Sequence, residues 1–436
     1  MRTAFTPEQL ADPQTAESQV EIRKCVHCGF CTATCPTYVL LGDERDSPRG
    51  RIELIRAMLE AARAPSKDTV THIDRCLSCL ACSTTCPSGV DYGQLIGHAR
   101  AYVEANYRRP LPERLLRWAL PHVLTRPRHL RFGLALGRAA QGLEPWLQRL
   151  RLTPLAVLLR LVPEARKAPR GVGTYPAVED RRGRVILLQG CVEPAMAPQV
   201  REAAIRLLAR AGYDVTLVAG EGCCGAISEH LGRADEARGL ARRNLAAWAK
   251  AGPADAIITT AAGCGTTLKA YGHLLGSAGE GAAAQARDIL EFLGEVGLPP
   301  IANPTGLAVA YHAPCSLQHG QQVKAVPARL LAEAGFEVRE VPEGHLCCGS
   351  AGVYNVLQPE LAGQLRDRKA ANIARTGAAI VAAGNVGCMA QIAPAVSAAV
   401  VHPVELLDWA TGGPRPEALD KRPMDHLSPR AGEDIA

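Results

Sequence analysis

Three features of this 436-residue sequence predict its fold class: two cysteine runs of identical spacing, a second cysteine repeat with a constant offset, and alternating strand and helix signals around that second repeat. The class they predict is an α-helical two-cluster ferredoxin domain followed by a duplicated α/β domain with parallel sheets. The boundaries expected are 15–100 for the two-cluster domain, 101–180 for a basic helical linker, 181–300 and 301–412 for the two α/β copies, and 413–436 for a flexible tail.

Apolar residues make up 47% of the chain, enough for two or three domains that each bury a core. Sixteen cysteines are too many to be small core residues, so their spacing has to account for them. The first 19 residues have no basic segment followed by an apolar one, so no secretory signal is expected and a reducing, cytoplasmic compartment follows. There, clustered cysteines serve as metal ligands or redox centres rather than as a disulfide framework. Arg or Pro interrupts every apolar run before the roughly 18 residues that a membrane-spanning helix requires.

Cys25, Cys28, Cys31 and Cys35, followed by Pro36, read C-x2-C-x2-C-x3-C-P, and Cys76, Cys79, Cys82 and Cys86, followed by Pro87, repeat the run 51 residues on. A 4Fe-4S cubane needs three thiolates on one tight loop and a fourth from elsewhere. In two-cluster ferredoxins the fourth Cys of each run ligates the other cluster. This assigns Cys25, Cys28, Cys31 and Cys86 to one cluster, and Cys76, Cys79, Cys82 and Cys35 to the other. Zinc sites use pairs of C-x2-C and have no need of the third cysteine or the trailing proline. Between the runs, Ser47-Pro48 starts a capped helix that puts Ile52, Ile55 and Leu59 on one face.

Arg108 to Arg170 carries 14 Lys or Arg against Glu113, Glu144 and Glu164, a local net charge of +11 in a chain of +6. Its Leu content, with Trp118 and Trp146, predicts short amphipathic helices broken at Pro121, Pro127, Pro145 and Pro154. Such helices suit wrapping of the first domain, docking of an acidic partner, or contact with an anionic membrane surface. Nucleic acid is not expected, because no nucleic-acid-binding motif accompanies the charge.

The remaining cysteines are Cys191, Cys223, Cys224 and Cys264, then Cys315, Cys347, Cys348 and Cys388, each displaced by 124. Cys-Cys-Gly and Gly-Cys recur with them. Strands are expected at 185–189, 214–218 and 256–260, and again at 307–311, 336–341 and 378–382. Each cysteine then lies just past a strand's carboxyl end, where open α/β sheets build their sites. Nearby helix N-termini would favour thiolate. Four thiols per copy fit a further cluster, a zinc ion or a dithiol pair. His230, His312, His319 and His345 lie close by and are each expected to be hydrogen-bonded packing rather than ligands.

The cysteine order, with the strings Ser47-Pro48-Arg49-Gly50-Arg51, Gly222-Cys223-Cys224-Gly225-Ala226 and His345-Leu346-Cys347-Cys348-Gly349-Ser350-Ala351-Gly352, resembles the iron-sulfur subunit of glycolate oxidase over nearly the whole chain. The resemblance implies an electron-transfer subunit working with flavin-binding partner subunits that carry FAD. There glycolate is oxidised to glyoxylate, and electrons continue to a quinone or other membrane acceptor, with this chain peripheral on the inner face of the cell membrane. The same domain order is similar to the C subunit of anaerobic glycerol-3-phosphate dehydrogenase, and the Cys-Cys-Gly domains are similar to those of heterodisulfide reductase. Those reductase domains end in C-x2-C, where this chain has Ala261 ahead of Cys264 and Asn385 ahead of Cys388. No Rossmann G-x-G-x-x-G stands between a strand and a helix, so this chain alone is not expected to oxidise a hydroxy acid.

Overall fold

The computed structural model describes residues 1–150 and 152–420. Its N-terminal unit is helical. Helices Pro13–Lys24, Pro48–Ala61, Lys67–Asp74 and Tyr92–Asn106 enclose a core of Ile22, Ile52, Ile55, Leu59, Ile73, Leu95 and Val103. Ser47 caps Pro48–Ala61 by accepting from the Gly50 N–H, with Pro48 in the first turn, as the sequence predicts. Gly50 is required there, since a Cβ would sit 2.0 Å from the Glu44 carbonyl oxygen.

The linker forms helices Leu111–Leu124, Pro127–Ala139, Glu144–Arg149 and Thr153–Arg160. Pro127, Pro145 and Pro154 lie in first turns, where a missing N–H costs nothing. Pro121 does not break the chain as expected: it lies inside Leu111–Leu124, one turn from its end, where only one intrahelical hydrogen bond is forfeited. Leu116, Leu120, Leu124, Val157 and Leu158 pack on Leu231, Val353 and Val356, so the inner face of the linker spans both α/β copies. The predicted 101–180 stretch is not helical throughout. Its first residues belong to Tyr92–Asn106, and it ends in a strand, β1 (Gly173–Tyr175), too short for an alternating pattern to betray it.

The first copy adds β2 (Gly183–Leu187), β3 (Tyr213–Leu217), β4 (Ala256–Thr259) and β5 (Ala286–Asp288), in sheet order β1-β3-β2-β4-β5. Only the β1–β3 pair is antiparallel. The second copy, β6 (Ala308–His312), β7 (Glu337–Glu340), β8 (Ile380–Ala383) and β9 (Ala399–Val401), is parallel throughout in order β7-β6-β8-β9. All six expected strands are present within two residues of their expected ends. The edge strands β5 and β9 were not expected, being three residues each. Each runs into a helix with a capping box, Asp288 with Glu291 and His402 with Glu405. These caps are 114 residues apart rather than 124, because the first copy inserts helices Tyr271–Leu275 and Ser277–Gln285.

One apolar core unites the copies. Val185, Val200, Ile205 and Leu293 of the first share it with Val309, Leu330, Ile380, Val404 and Leu407 of the second. At its rim Arg206 and Arg210 both pair with buried Asp408. Of the predicted tail, residues 413–420 are ordered against this body: helix Glu417–Asp420 buries Leu419. The rest of the tail, 421–436, lies outside the described residues. Among the described residues no helix is long and apolar enough to cross a membrane.

Candidate iron-sulfur sites

The two cysteine runs adopt the same backbone. His27 and Gly29 have positive φ (58° and 87°), and so do Ser78 and Leu80 (52° and 62°), 51 residues on. Left-handed residues on either side of the second cysteine turn the loop's N–H groups inward, and the Ser78 N–H points at Cys76 Sγ from 3.4 Å. Leu80 holds this conformation without glycine's freedom, a cost of about 1 kcal/mol that the surrounding packing must offset.

Two cavities result. Cys25, Cys28, Cys31 and Cys86 line one, together with Cys82, Pro87 and Arg49. Cys35, Cys76, Cys79 and Cys82 line the other, with Thr37, Arg51 and Tyr92. The donor set suits iron-sulfur chemistry, since each cavity brings three cysteines of one run together with the last cysteine of the other, and Cys82 lies between the two cavities. Cys28 is exposed at the surface, whereas Cys35, Cys76 and Cys82 are buried. Burial pushes the Cys31 thiol up to about 11 and raises Cys79 and Cys82 as well, so a bound cation has to displace these protons.

The Ser-Pro-Arg-Gly-Arg string supplies each cavity with a guanidinium. Arg49 pairs with Glu44 at 2.6 Å and donates to the His27 carbonyl at 3.2 Å. Arg51 is 1% exposed and donates to the His72 carbonyl (2.7 Å), Thr37 Oγ1 (3.0 Å) and Asp46 Oδ1 (3.1 Å). Its Nη1 lies 3.8 Å from Cys35 Sγ. Asp46, fully buried, also receives Arg75 at 2.9 Å and faces His72 Nδ1 at 3.0 Å, so this charge is balanced within a network. Sequence reasoning missed both arginines as parts of the sites, although the string itself was the available signal.

The eight C-terminal cysteines follow strands β2, β3 and β4, and β6, β7 and β8, as expected. None forms a disulfide. In each copy the glycine of Cys-Cys-Gly is left-handed (Gly225 φ 103°, Gly349 φ 88°), and its N–H approaches the first sulfur of the pair, at 3.5 Å for Cys223 and 3.4 Å for Cys347. Thiolate is favoured at Cys223 in the first copy. Cys223 is lowered to about 4, because the Cys191 and Cys224 thiols both donate to it. Cys191 is raised by its hydrogen bond to Cys223 and by burial, and Cys315 by its hydrogen bond with Cys347 and by burial. Hydrogen bonds between the thiols, with burial, therefore set the protonation of these cysteines.

Of the four histidines, His230 faces Arg100 at 3.3 Å, and His319 Nδ1 shares a proton with Thr84 Oγ1 at 2.8 Å. His345 is partly exposed. His312 lies buried beside Cys348 and Cys388 and has no hydrogen-bond partner among the described residues, contrary to the packing role expected of it.

The fold and these sites define an iron-sulfur protein, with a helical dicluster unit joined to a duplicated cysteine-rich α/β domain. Residues 21–90 match the family described as 4Fe-4S dicluster domain, and residues 185–269 and 309–393 each match the family described as cysteine-rich domain. The chain is 40% identical to the glycolate oxidase iron-sulfur subunit of Escherichia coli, over 94% of this chain and 99% of that one. It is 33% identical to the probable glycolate oxidase iron-sulfur subunit of Bacillus subtilis, over 85% and 88%. One subunit of the fumarate reductase (CoM/CoB) of Methanothermobacter marburgensis is 34% identical over 46% of this chain and 40% of its own. The chain belongs to the family of glycolate oxidase iron-sulfur subunits.

Proposed function

We propose that this chain is the electron-transfer subunit of a flavin-dependent glycolate, or related 2-hydroxy-acid, dehydrogenase. In this reading the FAD-bearing partner subunits oxidise glycolate to glyoxylate, and this chain conducts the released electrons toward a quinone or other membrane acceptor. Cys25, Cys28, Cys31 and Cys86 would hold one 4Fe-4S cluster, and Cys76, Cys79, Cys82 and Cys35 a second. Bound there, the clusters supply reversible one-electron storage. The observation that carries the reading is the pair of cysteine-lined cavities, each joining one run to the last cysteine of the other. The first has a surface-exposed cysteine, Cys28, where a partner can approach; the second lies against the second cysteine-rich copy, with Cys79 sharing an apolar cluster with Cys315 and Cys347.

The linker's outer face supports peripheral attachment to the membrane. Leu111, Leu115 and Trp118 are exposed along one face of Leu111–Leu124, and Phe132 and Leu136 are exposed on Pro127–Ala139. Arg114, Arg126, Arg128 and Arg131 accompany them. Apolar side chains between cations fit the boundary of an anionic bilayer. The test of the whole reading is reduction of the anaerobically purified chain by glycolate. Bleaching of iron-sulfur absorbance should require the flavin subunits. Oxidation of glycolate by this chain alone, or no bleaching with the flavin subunits present, would remove the proposal.

A further inference from the structure

The two cysteine-rich copies differ at a buried position close to the cysteines. His312 ends β6, and the residue 124 positions earlier is Leu188, part of the first copy's apolar core. His312 is 1% exposed, and neither ring nitrogen has a hydrogen-bond partner among the described residues. Burying an imidazole with both nitrogens unsatisfied is unfavourable, because each loses its hydrogen bond to water without replacement, so the position calls for a ligand. The surroundings supply the rest of one. A ring nitrogen of His312 and the sulfurs of Cys348 and Cys388 all lie within 4.8 Å of one another, and the two sulfurs are 3.3 Å apart. All three residues are buried.

We propose that His312, Cys348 and Cys388 bind a single tetrahedral metal ion of the zinc class in the second copy, and that the first copy binds no such ion. Metal–sulfur bonds of about 2.3 Å and metal–nitrogen bonds of about 2.0 Å set tetrahedral donors somewhat under 4 Å apart, close to the spacing here. A cubane binds each thiolate on a different iron and needs its donors farther apart. The Cys347 thiol, hydrogen-bonded with that of Cys348, lies outside this 4.8 Å group and would have to move closer to serve as the fourth donor. Asn385 donates from Nδ2 to Cys388 Sγ at 3.6 Å, an outer contact that would orient this ligand. Asn385 is the position at which a C-x2-C pair would place another cysteine. The proposal concerns the second copy's own residues and does not depend on the glycolate reading.

The experiment is zinc and iron analysis of the anaerobically purified full chain, with zinc K-edge absorption to read the ligand shell. Wild type should carry close to one zinc per chain in a mixed nitrogen and sulfur shell. His312→Leu, which installs the first copy's residue, should lose most of that zinc while iron content stays unchanged. His312→Cys should retain it with a sulfur-only shell, which separates loss of a donor from loss of folding. Cys191→Ser in the first copy should leave zinc unaltered. The proposal is overturned if wild type holds only iron, if His312→Leu keeps its zinc, or if the wild-type shell contains no nitrogen.

Discussion

Replacing Arg51 by Gln should lower the reduction potential of the cluster proposed on Cys35, Cys76, Cys79 and Cys82. Arg51 Nη1 is 3.8 Å from Cys35 Sγ, and the side chain is 1% exposed. At an effective dielectric of about 20, two unit charges at that distance interact by roughly 4 kcal/mol. An electron added to the cluster is shared over four corners, so about a quarter of this, near 1 kcal/mol, stabilises the reduced state through the Cys35 corner. For one electron that is roughly 45 mV, since a tenfold change is about 59 mV. Asp46, 3.1 Å from the guanidinium, makes this an upper figure. The substitution also deprives His72 O, Thr37 Oγ1 and Asp46 Oδ1 of their donor, and losing one partner of a buried pair costs roughly 3–5 kcal/mol of stability. Arg51→Lys keeps the charge without the fork of donors and should lose stability while holding most of the potential. The assay is a potentiometric titration followed by low-temperature EPR, beside thermal unfolding. An unchanged potential in Arg51→Gln, or an equal shift in Arg51→Lys, would refute the electrostatic reasoning.

The cross-ligated assignment predicts that Cys35→Ser perturbs the same EPR signal as Cys79→Ser, and that Cys86→Ser perturbs the same signal as Cys28→Ser; the opposite pairing would reverse the assignment. Charge reversal of Arg126, Arg128 and Arg131 should abolish pelleting with anionic vesicles, as should salt of about 0.5 M, where the Debye length is only a few Å; binding that survives both places the attachment elsewhere. Glu405 should contribute a fall in stability of the α/β body as pH rises from about 5 to 8. Burial lifts Glu405 from 4.5 to about 7, so the folded state holds a proton that the unfolded chain releases near pH 4.5. Its contribution is complete below that pH and is lost as pH rises through about 7, by up to roughly 3 kcal/mol. Glu405→Gln keeps the capping geometry and should flatten this dependence, with the gap in melting temperature widening from pH 5 to pH 8; equal slopes for the two proteins would reject it.

The parts of this molecule that were legible in the sequence depend on local spacing. Three cysteines within seven residues define one loop, and repeating them 51 residues on defines its partner, whatever the rest of the chain does. The strands following the 124-residue repeat were legible because Val, Ile and Leu gather in runs before each cysteine. Arg51 was hidden for the opposite reason. A charged residue on an amphipathic helix reads as solvated, and only the meeting of Pro48–Ala61 with Asp46, Thr37 and the second cysteine run makes it a buried cation. Pro121 misled because a proline near a helix end and a proline between helices look alike in sequence. β1 and β5 carry too few residues for a period to register, and they exist because neighbouring strands offer them edges.

Placement against the helical unit shows how far the duplicated copies have diverged. Cys315 and Cys347 share an apolar cluster with Leu77, Cys79 and Leu40, and Thr84 meets His319 across the same boundary. In the first copy Cys224 and Cys264 pack among Trp248, Leu268 and Tyr271, with the Tyr271 hydroxyl donating to the Cys224 carbonyl at 2.9 Å. That copy meets the helical unit through Arg100 and His230 instead. Tyr271 belongs to the helical insertion that the second copy lacks, so the same insertion that breaks the 124-residue offset also closes over the first copy's cysteines. A duplication that kept both sites equivalent would conserve their cover and their neighbours. Here one site gained a helical lid, while the other gained a buried imidazole and a contact with the second ferredoxin loop, and substitutions at corresponding cysteines of the two copies therefore test different properties of the protein.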